Sequence, residues 1–547
     1  MELNFVWRDY KFFPYEKVLG QMELESLFQT SNQPTPNGIR ILGANERRWR
    51  ELGRKATYFS HCTSEDFSVQ ETDQKLIEDT ANGIKRQSTR YSSHGLHEYR
   101  GKFNPQVVRA ITNIMGLGKR SWVLDPFCGS GTVLVESALI GYNAAGIDIN
   151  PMAVEISNAK IEACSLKPEI ISRETAAFIS RLDRIRKGLS YDTAFTDSTI
   201  ERLAGGSLAD SHPYYGYLSK WFQPSVLAQL VAVRNEIDTS TPDSFKKIFR
   251  IVLSDILRQV SLQDPGDLRI RRLKSPPVNQ DVICNYIDII RKRMSTIARG
   301  NEVSSHKGTS VQAHLGDIRS FDAHTLLPHT EEMGFDAAVT SPPYANALPY
   351  IDTQRLSIVF LEMCHHDYVR KLERELIGNR EITSSERGEW SQKMGQELVH
   401  MPESIRMLCQ NMAASVSDND GFRRQNTPPL VFKYFWEMSY AYRTVYNLLK
   451  TNGQYALVVG MNKARIGDRD FLIDTPRLLA DLAIQHGFKL ERLVELDTYS
   501  RYDIHQSNSI KNESLILLKK VDVIEDHDYP SGPYQRHKAS EGWRYTN

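Results

Sequence analysis

Cysteine is scarce in this chain, net charge is almost absent, and no long apolar run occurs. The six cysteines, at positions 62, 128, 164, 284, 364 and 409, lie far apart among 547 residues, with no Cys-x-x-Cys pair and no Cys/His spacing suited to zinc. That excludes a disulfide framework and a structural zinc module, and it predicts free thiols in a reducing, cytoplasmic compartment with no metal site. No apolar run reaches the length of a membrane span. The opening Met1-Glu2-Leu3-Asn4-Phe5-Val6-Trp7 lacks the basic-then-apolar layout of a signal peptide. With 68 basic against 67 acidic side chains and a formal charge of +1, a polyanionic partner is not visible globally and has to be sought in local patches. There is no internal repeat, no low-complexity tract and no nuclease-like cluster of acids with lysine.

What the chain does have is an apolar strand-like segment, Phe335-Asp336-Ala337-Ala338-Val339, closed by Thr340-Ser341-Pro342-Pro343-Tyr344. Each proline fixes its own φ and pushes the preceding residue out of the helical region, so the Ser341 side chain and the Pro342 carbonyl are held stiffly. Two acceptor oxygens beside a tyrosine ring suit a flat molecule with an exocyclic amino group. The competing reading is a proline-rich turn after a strand.

A second motif decides against that turn. Trp122-Val123-Leu124-Asp125-Pro126-Phe127-Cys128-Gly129-Ser130-Gly131-Thr132 reads as a buried strand entering a glycine turn, followed by a helix over 133–140 and a second strand over 144–149. The glycines allow close approach of a ligand to the backbone, and Asp148, at the end of the second strand, is placed to hold a ribose diol. Leu134 stands where a dinucleotide fingerprint wants glycine, and no lysine follows the glycines to make a phosphate loop. Cys128 reads as a small space-filler in the turn.

Together these motifs resemble the S-adenosylmethionine-dependent DNA amino-methyltransferases, which methylate cytosine N4 or adenine N6. The segment His97-Glu98-Tyr99-Arg100-Gly101-Lys102-Phe103-Asn104-Pro105 is similar to the family's motif X, Gly316-Asp317-Ile318-Arg319 to motif III, and Thr340 to Tyr344 to motif IV. Asn452 to Gly460 resembles the fifth strand and Asn512 to Lys519 the last antiparallel strand. The resemblance implies an α/β, Rossmann-like seven-stranded methyltransferase sheet. It implies Lys102, Phe103, Asp125, Phe127, Gly129, Gly131, Asp148 and Asp317 as cofactor-binding residues, with Asp317 meeting the adenine amino group. It implies Ser341, Pro342, Pro343 and Tyr344 as catalytic residues, with double-stranded DNA as substrate and a cognate restriction endonuclease or defence component as partner in a restriction-modification system. Serine at 341 favours cytosine N4. The cofactor half precedes the catalytic half, unlike the order common among Ser-Pro-Pro-Tyr cytosine enzymes, so adenine N6 stays open.

Spacing shows how the chain is organised. Short connections would place the first and fourth strands about 70 residues apart, yet Asp125 and Ser341 are 216 apart. The excess is helical: Val226, Leu230 and Val233, then Phe245, Ile248, Phe249, Val252 and Ile256, recur at helix spacing. The expected division is an N-terminal α/β extension over 1–90 and the cofactor half of the core over 91–165. A helical insertion subdomain over 166–310, a candidate for target recognition, leads to the catalytic loop over 311–365. A second insertion or lid over 366–430, C-terminal strands over 431–522 and a tail over 523–547 complete it. Residues 34–38 read as a break. The second insertion reads as a polar surface segment that also could recognise the target.

Two basic stretches are candidate phosphate contacts. One holds Lys85, Arg86, Arg90, Arg100, Lys102, Arg109, Lys119 and Arg120, and the other Arg269, Arg271, Arg272, Lys274, Arg291, Lys292 and Arg293. In the implied mechanism the base is flipped out of the duplex, its amino group donates to Ser341 Oγ and the Pro342 carbonyl, and Tyr344 stacks on it. Two rivals are an RNA base methyltransferase, which would need a separate RNA-binding module, and a silent nucleic-acid binder, which has no need of the intact glycine turn and acid.

Overall fold

The computed structural model describes residues 1–81, 87–189, 195–264, 271–273, 280–304, 308–321, 326, 334–345, 350–396, 401–497 and 512–521. The first strands, β1 (Leu3–Trp7), β2 (Asn32–Thr35), β3 (Gly38–Ile41), β4 (Phe59–Ser64) and β5 (Val69–Glu71), form an antiparallel sheet in the order β2-β3-β1-β4-β5. The break expected over 34–38 is instead a hairpin. Thr35 pairs with Gly38, so Pro36 and Asn37 form a two-residue loop, and Pro34 is tolerated because β2 is an edge strand. The extension is thus an antiparallel α+β unit rather than an α/β one.

The second sheet carries the site. It comprises β6 (Trp122–Asp125), β7 (Asn143–Asp148), β8 (Val311–Leu315), β9 (Phe335–Thr340) and β10 (Leu449–Gly460), closed by β13 (Phe488–Asp497) and β14 (Asn512–Lys520). A small hairpin, β11 (Asn462–Ile466) with β12 (Arg469–Ile473), lies between. The order β13-β14-β10-β9-β6-β7-β8 is parallel from β10 to β8, with β14 antiparallel to both its neighbours. This is the α/β, Rossmann-like seven-stranded methyltransferase sheet. Val123, Leu124, Ala144, Ala145, Ala337, Ala338 and Val339 are all buried, as expected of central parallel strands covered on both faces.

The sheet reverses its order of connection between β6 and β9. In an open parallel sheet the crevice outside the strands' carboxyl ends at such a point receives ligands. Asp125, Asp148 and Thr340 end β6, β7 and β9, and Gly316 and Asp317 follow β8 directly. Local sequence fixes the helices around this crevice. Asn104 and Asn150 cap the helices Pro105–Ile114 and Pro151–Ser165, each with proline at its first position.

Helices Pro168–Lys187, Pro224–Ser240, Asp243–Val260 and Val282–Val303 dominate the insertion between β7 and β8. Val226, Leu230, Val233, Phe245, Ile248, Phe249, Val252 and Ile256 are buried there. Their cluster is continuous with Met152 and Ile156 of the core and with Leu356, Val359 and Phe360 on the helix Tyr350–Phe360. The segment 370–429 differs from its expectation of a polar surface stretch. It forms the helices Val369–Glu375, Ser384–Met394 and Glu403–Ala414, which bury Trp390, Met394, Ile405, Cys409 and Met412 in a cluster shared with the helix Phe422–Leu448. A few large apolar residues anchor otherwise polar helices, so the average polarity misleads. The last helix also runs through Pro428 and Pro429, where the loss of two N–H donors reads as a stop. No helix among the described residues is long and apolar enough to cross a membrane.

Candidate active site

Building from the glycine turn, Gly129 (φ +48°) and Gly131 (φ +75°) take left-handed backbone, and a Cβ on Gly131 would lie 2.7 Å from Ser157 Oγ. The turn is then tied to its neighbours. Gly129 N–H donates to Asp148 Oδ2 at 2.8 Å and Asn150 N–H to Asp148 Oδ1 at 2.8 Å, so one carboxylate ties the turn to the end of β7. Burial pushes the Asp148 carboxyl up to about 6.

Asp125 has a different task. Its Oδ1 accepts the Thr340 hydroxyl at 2.6 Å and the Phe127 N–H at 3.1 Å, joining the glycine turn directly to the residue before Ser341. Burial pushes this carboxyl up to about 7.

One pocket unites the separate motifs. Phe127, Gly129, Asp148, Asp317, Ser341 and Pro343 line it, together with Tyr99, Gly101, Asn150, Arg319, Tyr350 and residues 375–377. Tyr99 and Tyr350 lie against two glycines, and the approach is tight only at Gly101. A Cβ on Gly129 would sit 3.4 Å from the Tyr99 ring, and one on Gly101 (φ +72°) 3.1 Å from the Tyr350 ring.

Other expected site residues lie outside the lining. Lys102 Nζ donates to Thr89 O at 2.7 Å and His94 O at 3.1 Å, with burial pushing its ammonium down to about 7. Phe103 packs into the core shared with the N-terminal sheet. Asp125, Gly131 and Pro342 are not among the pocket's lining residues. Tyr344 hydroxyl donates to Glu513 Oε1 at 2.7 Å across to β14. Burial pushes the Cys128 thiol well above its ordinary range, which suits a space-filler. Residues 346–349 lie outside the described residues.

The basic stretches are divided between the interior and the surface. Arg109 is buried with Glu136 at 2.8 Å, Arg90 pairs with Glu98, Lys119 with Glu51, and Arg293 with Asp255. Arg109 is thereby buried and Arg293 turned inward, away from any phosphate, whereas Arg90 and Lys119 pair at the surface and Arg100, Arg120 and Lys292 are exposed. Lys85, Arg86, Arg269 and Lys274 lie outside the described residues, while Arg271 and Arg272 are exposed. Sequence reasoning missed Tyr350, Arg319 and residues 375–377 as pocket residues. For Arg319 the signal was its place two residues after Asp317; for 375–377 there was no local signal.

The family description "UPF0020: RMKL-like, methyltransferase domain" matches residues 96–191, which hold the glycine turn and Asp148. The type II methyltransferase M.MvaI of Kocuria varians is 25% identical over 315 residues, covering 54% of this chain and 64% of its own. By these matches the chain is similar to type II methyltransferases. The type II methyltransferase M.AvaI of a Nostoc species is 24% identical over 416 residues, 73% of this chain and 80% of its own. A tRNA (guanine(10)-N2)-dimethyltransferase of Methanothermobacter thermautotrophicus is 26% identical over 172 residues, 28% of this chain and half of its own. The chain spans less than two thirds of M.MvaI. The pocket suits S-adenosylmethionine, with a left-handed glycine of the turn, Gly129, and two acids, Asp148 and Asp317, in its lining.

Proposed function

We propose that the chain transfers a methyl group from S-adenosylmethionine to the exocyclic amino group of a base flipped from duplex DNA, with cytosine N4 the favoured target. One observation carries this reading: Ser341 and Pro343 line the same pocket as Asp148 and Asp317, at the carboxyl ends of neighbouring parallel strands. The cofactor supplies an electrophilic sulfonium methyl. The chain supplies orientation and electrostatics. Asp148 would hold the ribose and Asp317 the adenine amino group.

Ser341 Oγ and the Pro342 carbonyl would accept the two N–H bonds of the target amino group and favour a localised nitrogen lone pair aimed at the methyl. Asp125 acts through Thr340, keeping the strand end that carries Ser341 in register with the glycine turn. The Tyr344 ring would recover stacking on the order of 1–3 kcal/mol for the extruded base. The proton leaves to water after transfer.

The enzyme would work in the cytoplasm as the modifying half of a restriction-modification system, beside a cognate endonuclease. Incubating the chain with methyl-labelled S-adenosylmethionine and either duplex DNA or tRNA tests the substrate class. Label in DNA, abolished by Ser341→Ala, is the expected result. Label in tRNA alone would replace this reading with the RNA one that the tRNA dimethyltransferase relative favours.

A further inference from the structure

One wall of the pocket is held by a buried ionic chain whose arginine, Arg319, has no task in the proposed reaction. The Arg319 side chain is 1% exposed and grips Asp317 with its planar edge: Nε donates to Oδ1 at 2.9 Å and Nη2 to Oδ2 at 2.7 Å. Its Nη1 donates to Glu437 Oε1 at 2.6 Å, on the helix Phe422–Leu448, where Lys433 Nζ also approaches that oxygen at 3.0 Å. Its Nη2 donates in addition to the backbone oxygen of Glu375 at 2.6 Å. That carbonyl opens the stretch 375–377, whose Leu376 and Ile377 line the pocket while being only 8% and 5% exposed.

One guanidinium therefore fixes three things: an acid at the end of β8, a helix, and a piece of pocket wall contributed by the second insertion. Their partners lie 56 and 118 residues further along the chain. Only arginine offers a rigid fork for a bidentate carboxylate with donors to spare for two more acceptors. A carboxylate without a partner at this depth would be strongly disfavoured, and Arg319 both supplies that partner and sets the direction of Asp317.

We propose that Arg319 is a positioning residue for the cofactor's adenine, and that residues 375–377 of the second insertion form a wall of the same subsite. This inference rests on the assignment of the pocket to S-adenosylmethionine. Asp317 is held ready to accept from the adenine amino group, and Leu376 and Ile377 give the ring an apolar face. The second insertion is then part of cofactor binding, so whatever moves it alters cofactor affinity.

Two measurements test this. In the first, hydrogen exchange of the wild-type chain is followed with and without S-adenosylhomocysteine. Protection gained both at 146–150 and at 375–378 is expected. Protection at 146–150 alone overturns the inference and leaves the pocket assignment standing, whereas protection at neither place overturns both. In the second, affinities for S-adenosylhomocysteine and its deaminated analogue S-inosylhomocysteine are compared by calorimetry. The wild type should prefer the amino form by at least about tenfold, because a site built to bond that group rejects its replacement. Arg319→Lys, which keeps the charge and loses the fork, should shrink the preference to within about threefold. A folded Arg319→Lys with the wild-type preference refutes the positioning role, since a purely structural arginine would lower both affinities alike. If that variant does not fold, the exchange experiment still decides whether 375–377 is part of the site.

Discussion

Replacing Asp148 by alanine isolates the ribose end of the proposed site. Both carboxylate oxygens are committed to backbone N–H groups, those of Gly129 and Asn150, each at 2.8 Å. The remaining lone pairs are available to a ribose diol. Charge-assisted hydrogen bonds of this kind contribute about 1.5–3 kcal/mol. Asp148→Ala should therefore raise the dissociation constant of S-adenosylmethionine about 10- to 150-fold. Calorimetric titration of the folded variant, with thermal unfolding as control, reads this directly.

The same group sets a pH dependence. Its carboxyl lies at about 6, above the ordinary value near 3.9, because burial penalises the charge. A folded-state value that is raised means the carboxylate costs stability above about pH 6, and that cost is relieved as the pH falls through about 6. Cofactor affinity runs the other way: if the carboxylate is the acceptor, the dissociation constant should rise by up to about tenfold per pH unit below about 6. An unchanged constant in Asp148→Ala, or an affinity flat across that window in the wild type, would refute the assignment.

Tyr344→Ala should lower turnover strongly while leaving cofactor affinity nearly unchanged, since the ring lies outside the cofactor pocket and its hydroxyl is held by Glu513; an equal loss of cofactor binding in calorimetry would place the ring wrongly. Gly131→Ala should destabilise the fold by about 1–3 kcal/mol, because its φ of +75° disfavours a side chain and the added Cβ meets Ser157. Urea unfolding reads that cost, and an unshifted midpoint contradicts the strain argument. Changing the exposed Arg271 and Arg272 to alanine should weaken duplex binding to all sequences alike and reduce the salt slope by up to about 0.9 for each phosphate no longer neutralised; wild-type affinity and slope would show a merely solvated face.

Much of the site was legible because its signals are local. A strand, a glycine turn, a helix and an acid after the next strand lie within a few tens of residues, and each follows from backbone requirements that glycine, proline and asparagine announce. Helical spacing likewise exposed the insertion, since Phe245 to Ile256 repeat along one face. What stayed hidden depends on direction and on distant partners. Arg109 and Arg293 count as positive charge in any window, yet both turn inward, to Glu136 and Asp255, and a tally of charge carries no orientation. The Arg319 to Glu437 pair joins residues 118 apart and leaves no trace in composition. The wall at 375–377 includes two apolar residues in a polar neighbourhood, informative only once folding has brought them to one pocket with residues 316–319.

Single-molecule sequencing of DNA from a host expressing the chain tests the central claim most directly. The account predicts 4-methylcytosine at one recurring short sequence, absent when Ser341→Ala is expressed instead. Methylated adenine at a recurring sequence would keep the enzyme and correct its base. Unmodified DNA from cells that hold the folded, cofactor-binding protein would contradict the account.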